Sequence, residues 1–213
     1  MSENSVEFAS LLCSRLCHDM LSPVGAMNNG LELLAGEDDP DMREQVMQLL
    51  ADSARISADR LKFFRLAFGA GGGFSGTIET AELKSALEGL VRANPRITLG
   101  WLVDQPALPK TAAKILLNLA MIGFDGLIRG GQLDVAAEGG EIVIRAQGTR
   151  LVLDAEIRGV LVGEGDPEAI SSRTSAAWLT RRLAEEAHGT IGVVDDEDGV
   201  LLLAATLSQS SGA

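Results

Sequence analysis

Apolar residues in the first third of the chain recur at helical spacing, which predicts two helices joined by a short turn. The first helix covers residues from about 5 to 35. Within Gly36–Pro40, Asp39 is the expected N-cap and Pro40 the first residue of a second helix, which runs from about 41 to 68. The apolar stripe of that helix consists of Val46, Leu50, Ala54, Leu61, Phe64 and Phe68.

A hairpin of two helices buries too little apolar surface to be stable alone. We therefore expect it to pair with a second copy as a homodimeric four-helix bundle. Five of the eight residues at 69–76 are glycine, and such a segment cannot continue a helix. A domain boundary is predicted there, between a hairpin of residues 1–70 and a second domain of residues 76–213.

Beyond the glycines, helical and strand patterns alternate. Helices are predicted for Glu79–Arg92, Pro109–Ile128 and Pro167–His188. Strands are predicted for Ile97–Val103, Glu141–Gln147 and Leu151–Arg158, with a closing hairpin of Thr190–Asp195 and Val200–Leu207. The expected fold class is α+β, with one mixed sheet covered by helices.

Composition excludes several classes of partner. The formal net charge is −12, and phosphate backbones attract basic surfaces, so nucleic acid is not expected as a partner. The acidic, polar segment Met1–Phe8 lacks the pattern of a signal peptide, and Ile115–Ile128 is too short and too interrupted to span a bilayer. Cys13 and Cys17 lie one helical turn apart, which suggests no disulfide framework, so the cytoplasm is the expected location.

Only two histidines occur in the chain, and His18 lies in the first predicted helix. At about 100° per residue, His18 points away from the apolar side, which holds Ala9, Leu12, Cys13, Leu16, Met20, Pro23, Val24, Met27, Leu31 and Leu34. A core role for His18 is therefore excluded. The face around His18 is the expected partner-binding surface and includes Leu11, Ser14, Arg15, Leu21, Ser22 and Gly25.

The residues next to His18 suit a nucleophilic imidazole. A neutral imidazole is nucleophilic near neutral pH, and the Asp19 carboxylate is positioned to hold Nδ1–H and leave Nε2 free. Pro23 cannot donate to the carbonyl of Asp19 and so bends the helix, while Gly25 keeps the approach open. Arg15 either steers a phosphate or an acidic partner surface, or is only a solvated helix residue.

The sequence gives less support to a metal site near His18 and to a chemical role for the second histidine. Cys13, Cys17 and His18 point in different directions, and structural zinc needs four converging ligands, so no metal site is expected. His188 precedes Gly189 at a predicted helix end, where a histidine suits the helix dipole, so a structural role is expected.

The string His18-Asp19-x-x-Ser22-Pro23 resembles the H-box of sensor histidine kinases. In the second domain, Lys114–Leu119 resembles the start of their N-box, and His188–Ile191 resembles the segment before their last hairpin. The resemblance implies the fold of a histidine-kinase ATPase domain for residues 76–213.

The departures from that resemblance concern the nucleotide site. Ile122 occupies the position of a second asparagine that holds Mg²⁺ in the kinases, and no Asp-x-Gly-x-Gly follows the predicted strand Leu151–Ile157. The short segment Val162–Asp166 stands in place of the glycine-rich lid. We therefore expect no cofactor of the protein's own.

A retained histidine with a degenerate nucleotide site resembles the ChpT-type histidine phosphotransferases, most closely over residues 12–29. The resemblance implies a cytoplasmic phosphorelay phosphotransferase of the cell cycle, homodimeric, with His18 as phospho-acceptor and Asp19 as its neighbouring acid. The implied donor is the receiver domain of a hybrid histidine kinase, which carries the Mg²⁺, and the acceptors are CtrA-like and CpdR-like response regulators. An atypical ATP-binding kinase, a non-catalytic dimeric adaptor and a phosphatase using Asp19 and Ser22 remain alternatives.

Overall fold

The computed structural model describes residues 3–69, 76–164, 170–196 and 199–208. Its N-terminal part is a hairpin of two helices, α1 (Glu3–Gly36) and α2 (Pro40–Ala67). The Asp39 side chain accepts a hydrogen bond from the Asp41 N–H at 2.9 Å, and Pro40 opens α2. The predicted hairpin and its turn are therefore confirmed.

The two helices approach closely where α1 has no side chain. At Gly30 an added Cβ would lie 2.9 Å from Leu50 Cδ2, and Gly30 is buried together with Pro23. The predicted stripe on α2 is correct at Val46 and Phe64, but Ala54 and Leu61 are exposed. The small residues Ser53 and Ser57 are buried instead.

The second part of the chain contains four helices and seven strands within the described residues. The helices are α3 (Thr80–Arg92), α4 (Lys110–Gly126), α5 (Ala155–Val162) and α6 (Ser175–Glu186). The strands are β1 (Thr77–Glu79), β2 (Ile97–Leu102), β3 (Ala107–Pro109), β4 (Gly131–Glu138), β5 (Glu141–Gln147), β6 (Thr190–Asp196) and β7 (Val200–Thr206).

Five of these strands form one mixed sheet in the order β2-β4-β5-β7-β6. β2 and β4 are parallel, the other neighbours are antiparallel, and β1 pairs with β3 apart from this sheet. Together with the helical hairpin, this arrangement confirms the α+β fold class.

Two predictions for the second part were wrong. Leu151–Arg158 is not a strand, because Asp154 caps a helix there: its side chain accepts from the Glu156 N–H, and Gly163 ends the helix with a φ of 85°. β4 was missed, although it alternates buried and partly exposed residues. β4 and β5 are joined at Gly139 and Gly140, whose φ values of 59° and 91° are typical of a tight hairpin turn.

Helix α4 lies at the centre of the core. Ile115, Leu116, Leu117 and Leu119 are all fully buried between the sheet and the other helices. The end of α2 joins the same core through Phe63 and Ala67. The hairpin is therefore packed onto the second part of the chain.

Some sequence predictions fall on residues outside the described part of the chain. These are residues 70–75 of the glycine segment with its domain boundary, and residues 165–169. The latter include the end of the segment expected in place of the lid and the start of the predicted helix, which is described from Ser175 onward. Among the helices that are described, none has the length and apolar character to cross a membrane.

Candidate functional site

The imidazole of His18 lies on the open side of α1. Its side chain is 84 % exposed. Gly25, two turns further along the helix, leaves the neighbouring surface open, since a Cβ there would meet no atom within 4 Å. A large partner can therefore reach His18.

Asp19 holds one nitrogen of the His18 ring. Nδ1 of His18 lies 3.1 Å from Oδ1 of Asp19. A carboxylate only accepts hydrogen bonds, so this contact places a proton on Nδ1 and leaves the lone pair on Nε2. The orientation that the sequence predicts for the ring is the one in the structure.

Arg15 is tied to two carboxylates. Its Nε donates to Asp19 Oδ2 at 2.9 Å, and its Nη2 donates to Asp125 Oδ2 at 2.6 Å. Burial by itself lowers the pKa of Arg15, but the carboxylates of Asp125 and Asp19 outweigh it and raise that pKa above its usual value. The guanidinium therefore stays charged in a fixed position, and only 15 % of the side chain is exposed.

The carbonyl of Asp19 is bound as well. Pro23, four residues later, has no N–H to donate to it. The Nη1 of Arg60 on α2 donates to this oxygen instead. The side-chain carboxylate of Asp19 thus accepts from Arg15 of its own helix, and its backbone carbonyl accepts from Arg60 of the neighbouring helix.

The other predicted partner contacts surround the imidazole. Ser14, Leu21 and Ser22 are exposed, while Leu11 and Gly25 are half-buried. The structure brings them onto one surface with His18, and their role in binding a partner stays a prediction. Arg15 differs from them, because its Nε and Nη2 already donate to two carboxylates of the protein itself.

Sequence reasoning missed Arg60 and Asp125 as members of this site. Asp125 did leave a signal, since it interrupts the apolar run Ile115–Ile128. Arg60 left none, because it lies 41 residues from Asp19 in the chain.

Comparison with known proteins assigns the second part of the chain to a protein family. The family model described as "Histidine phosphotransferase C-terminal domain" matches residues 80–199. The chain belongs to this family.

Two relatives show how far the likeness extends. The protein phosphotransferase ChpT of Brucella abortus (strain 2308) is 42 % identical over 136 residues, a match that spans 63 % of this chain and 63 % of that protein. The solved structure of a bacterial phosphotransferase aligns with a TM-score of 0.83 at 34 % identity, over 96 % of this chain and 97 % of the other. This last alignment includes most of the hairpin that carries His18.

A histidine kinase domain from the blue-light-activated kinase of Erythrobacter litoralis EL346 also aligns, over 88 % of this chain and 95 % of that one. Its TM-score is 0.46 at 12 % identity, too low to add to the assignment.

In this member of the family, the N-box-like residues of α4 face the hairpin. Asn118 is fully buried, and its Nδ2 donates to the Ala67 carbonyl at 3.2 Å and to the Lys114 carbonyl at 2.8 Å. The Nζ of Lys114 donates to the Gly69 carbonyl. These residues therefore satisfy carbonyls at the end of α2, which a helix leaves without internal partners.

The position expected for the adenine-binding box needs correction. The sequence analysis sought Asp-x-Gly-x-Gly after a strand at Leu151–Ile157, but that segment leads into α5. The preceding strand is β5, and the residues after it are Gly148, Thr149, Arg150, Leu151 and Val152, so the motif does not follow β5 either.

Proposed function

We propose that this protein is a phosphorelay histidine phosphotransferase. It accepts a phosphoryl group from the receiver domain of a hybrid histidine kinase onto Nε2 of His18 and passes it to an aspartate of a response regulator. The observation that carries the proposal is an imidazole 84 % exposed whose Nδ1 lies 3.1 Å from a carboxylate. Membership of the histidine phosphotransferase family supports it.

The transfer needs only groups that the two proteins supply. The lone pair of Nε2 attacks the phosphorus of an aspartyl phosphate, a nitrogen–phosphorus bond forms, and the phosphorus–oxygen bond breaks. The receiver's aspartate leaves with the electron pair as a carboxylate. The imidazole keeps its Nδ1 proton and becomes cationic, and the Asp19 carboxylate stabilises that charge. Transfer to a response regulator reverses these steps.

The partner receiver supplies Mg²⁺ and basic groups for the charge on the phosphoryl oxygens, while this chain positions the nucleophile. We propose no nucleotide cofactor for this chain. That proposal is supported by Asn118 and Ile122, which are buried in the core. A buried isoleucine has no oxygen to offer a metal ion.

The protein is proposed to act as a homodimer through its hairpin. Five residues at spacings of seven and four along α1 are exposed in the single chain: Val6, Cys13, Cys17, Val24 and Leu31. Cys13, Val24 and Leu31 belong to the apolar side that helical spacing predicts, and a second copy of the chain would cover them. His18 lies off this stripe and stays open in such a dimer.

Partner identity and location are proposals of the same kind. CtrA-like and CpdR-like response regulators are the acceptors that the resemblance of residues 12–29 to ChpT-type phosphotransferases implies. Two free, exposed cysteines suit the reducing cytoplasm.

Transfer from a purified, radiolabelled receiver domain tests the function. Wild-type protein should take up acid-labile label and lose it when an unlabelled response-regulator receiver is added. His18→Gln should take up none, and His188→Gln should behave as wild type.

Two results would contradict the proposal. Labelling of His18 by ATP and Mg²⁺ without any partner would make the protein a kinase. Unchanged phosphate flow to the regulator with His18→Gln would make it an adaptor.

A further inference from the structure

We propose that Asp125 of the second domain is a positioning residue for phosphotransfer at His18. Through Arg15 and Asp19, it holds the His18 ring with its proton on Nδ1. The inference rests on the proposed function, since positioning has a purpose only where Nε2 reacts.

The contacts form one continuous series across two parts of the chain. Asp125 Oδ2 accepts from Arg15 Nη2 at 2.6 Å, Arg15 Nε donates to Asp19 Oδ2 at 2.9 Å, and Asp19 Oδ1 meets His18 Nδ1 at 3.1 Å. Each carboxylate uses one oxygen in the Arg15 contact, so the second oxygen of Asp19 remains for the imidazole. A planar guanidinium fixes the two carboxylates relative to each other, which a flexible ammonium group would not do.

The position of Asp125 on its helix indicates that its favourable interaction is with Arg15 and not with its own helix. It lies in the last turn of α4, which ends at Gly126 and carries no basic residue there. A negative charge is unfavourable at the C-terminal end of a helix dipole, so α4 gains nothing from Asp125 by itself. The interaction that stabilises the Asp125 carboxylate is the hydrogen-bonded ion pair with Arg15, 110 residues away in the chain.

A purely structural ion pair is the competing explanation, and the chain offers a matched control for it. Arg92 on α3 donates to Asp59 on α2 at 2.5 Å, which also joins the hairpin to the second domain. Asp59 is not part of the series that ends at His18. Asp125→Asn and Asp59→Asn therefore each remove one carboxylate from an ion pair between the same two parts, and only the first should affect the imidazole.

The first readout is the tautomer of the neutral His18 ring, measured by two-bond ¹H–¹⁵N correlation NMR. His188→Asn serves as the background, so that His18 gives the only histidine signals. We expect Asp125→Asn to move part of the population from the Nδ1–H to the Nε2–H form, and Asp59→Asn to leave the ratio unchanged. Arg15→Lys should act like Asp125→Asn, and the double variant should add little to either.

The second readout is the rate of phosphoryl uptake from a labelled receiver domain. Asp125→Asn should slow it about tenfold, the scale typical of groups that orient a reacting ligand, while Asp59→Asn should not. An unchanged ring signal and rate in Asp125→Asn would overturn the proposal, as would equal effects of Asp125→Asn and Asp59→Asn. If the ring signal moves but even the wild-type protein takes up no phosphate, the proposed function fails while the positioning of His18 by Asp125 stands.

Discussion

A proline inside a helix leaves one carbonyl without its usual donor, and here that carbonyl belongs to the residue beside His18. Pro23 is buried against α2, and Arg60 of α2 supplies the missing hydrogen bond to Asp19. The proline thus creates an acceptor that binds the two helices together at the level of the imidazole.

Removing Arg60 should therefore lower the free energy of unfolding by less when the proline is also removed. Arg60→Ala should lower the free energy of unfolding by about 1–3 kcal/mol, because it leaves a part-buried carbonyl unpaired. In a Pro23→Ala background the loss should be smaller, since alanine brings its own N–H to the Asp19 carbonyl. Urea unfolding of the four proteins measures the difference.

The surface residue Arg55, 3.8 Å from Asp52, provides the control, and Arg55→Ala should change stability by less than about 0.5 kcal/mol. Equal losses for Arg60→Ala in both backgrounds would show that Arg60 does not replace the proline's missing donor.

The sequence predicts the parts of this site that are local. His18 and Asp19 are neighbours on one helix, so helical geometry alone gives the exposure of the ring and the contact with the acid. Arg60 and Asp125 come from other elements, 41 and 110 residues away from the groups they bind. Only the packing of α1 against α2 and α4 brings them there, and no spacing along the chain encodes that packing.

At the level of elements, α4 connects the hairpin with the sheet. Its apolar residues fill the core, while Asn118 donates to the carbonyl of Ala67, the last residue of α2. The residues that resemble a kinase N-box therefore serve here as a cap for a neighbouring helix.

Loss of that cap should open the end of α2. Asn118→Ala should lower stability by about 1–3 kcal/mol and speed amide hydrogen exchange at Phe64–Phe68. Thr180→Val is the control, because Thr180 is equally buried and its hydroxyl donates to Ala176 within its own helix. If the two variants changed exchange at Phe64–Phe68 to the same extent, Asn118 would not be the cap.

Prediction of the elements failed where an apolar run had two interpretations. Leu151–Ile157 has strand-like residues, but Asp154, Glu156 and Gly163 are the start and stop signals of a helix, and these local signals decided the outcome. The missed strand β4 has alternating Leu133, Val135 and Ala137, followed by two glycines that form a hairpin turn. Both signals were present in the sequence.

On the scale of the whole molecule, the start of α1 and the end of α2 attach the hairpin to the second part of the chain at several points. Phe8 on α1 packs against Trp178 on α6 with ring centroids 4.3 Å apart. Arg15 pairs with Asp125 further along α1, and Asp59 pairs with Arg92 on the other helix. Such repeated contacts were not predictable from a glycine-rich segment, whose composition indicates freedom between the parts.

The exposed apolar stripe of α1 predicts the oligomeric state. Leu31→Glu, at a side chain 58 % exposed in the single chain, should convert a dimer to a monomer in sedimentation velocity, because a second copy would have to bury the charge.

Leu21→Glu is the control for that change. Leu21 is 69 % exposed on the His18 side, so this variant should stay dimeric while phosphate uptake from a receiver declines. A monomeric wild-type protein, or a dimeric Leu31→Glu protein, would contradict the proposed bundle.

The exposed imidazole of His18 has a consequence for the rate of the proposed relay. In the proposed relay, the donor and the acceptor bind the same few residues around His18, so they cannot occupy one site together. Each receiver must dissociate before the other binds. The rate of phosphoryl flow through the proposed relay is then limited by receiver dissociation. A response regulator that stays bound after it has been phosphorylated competes with the next donor. In the proposed relay, the relative abundance of the receivers then decides which regulator is phosphorylated.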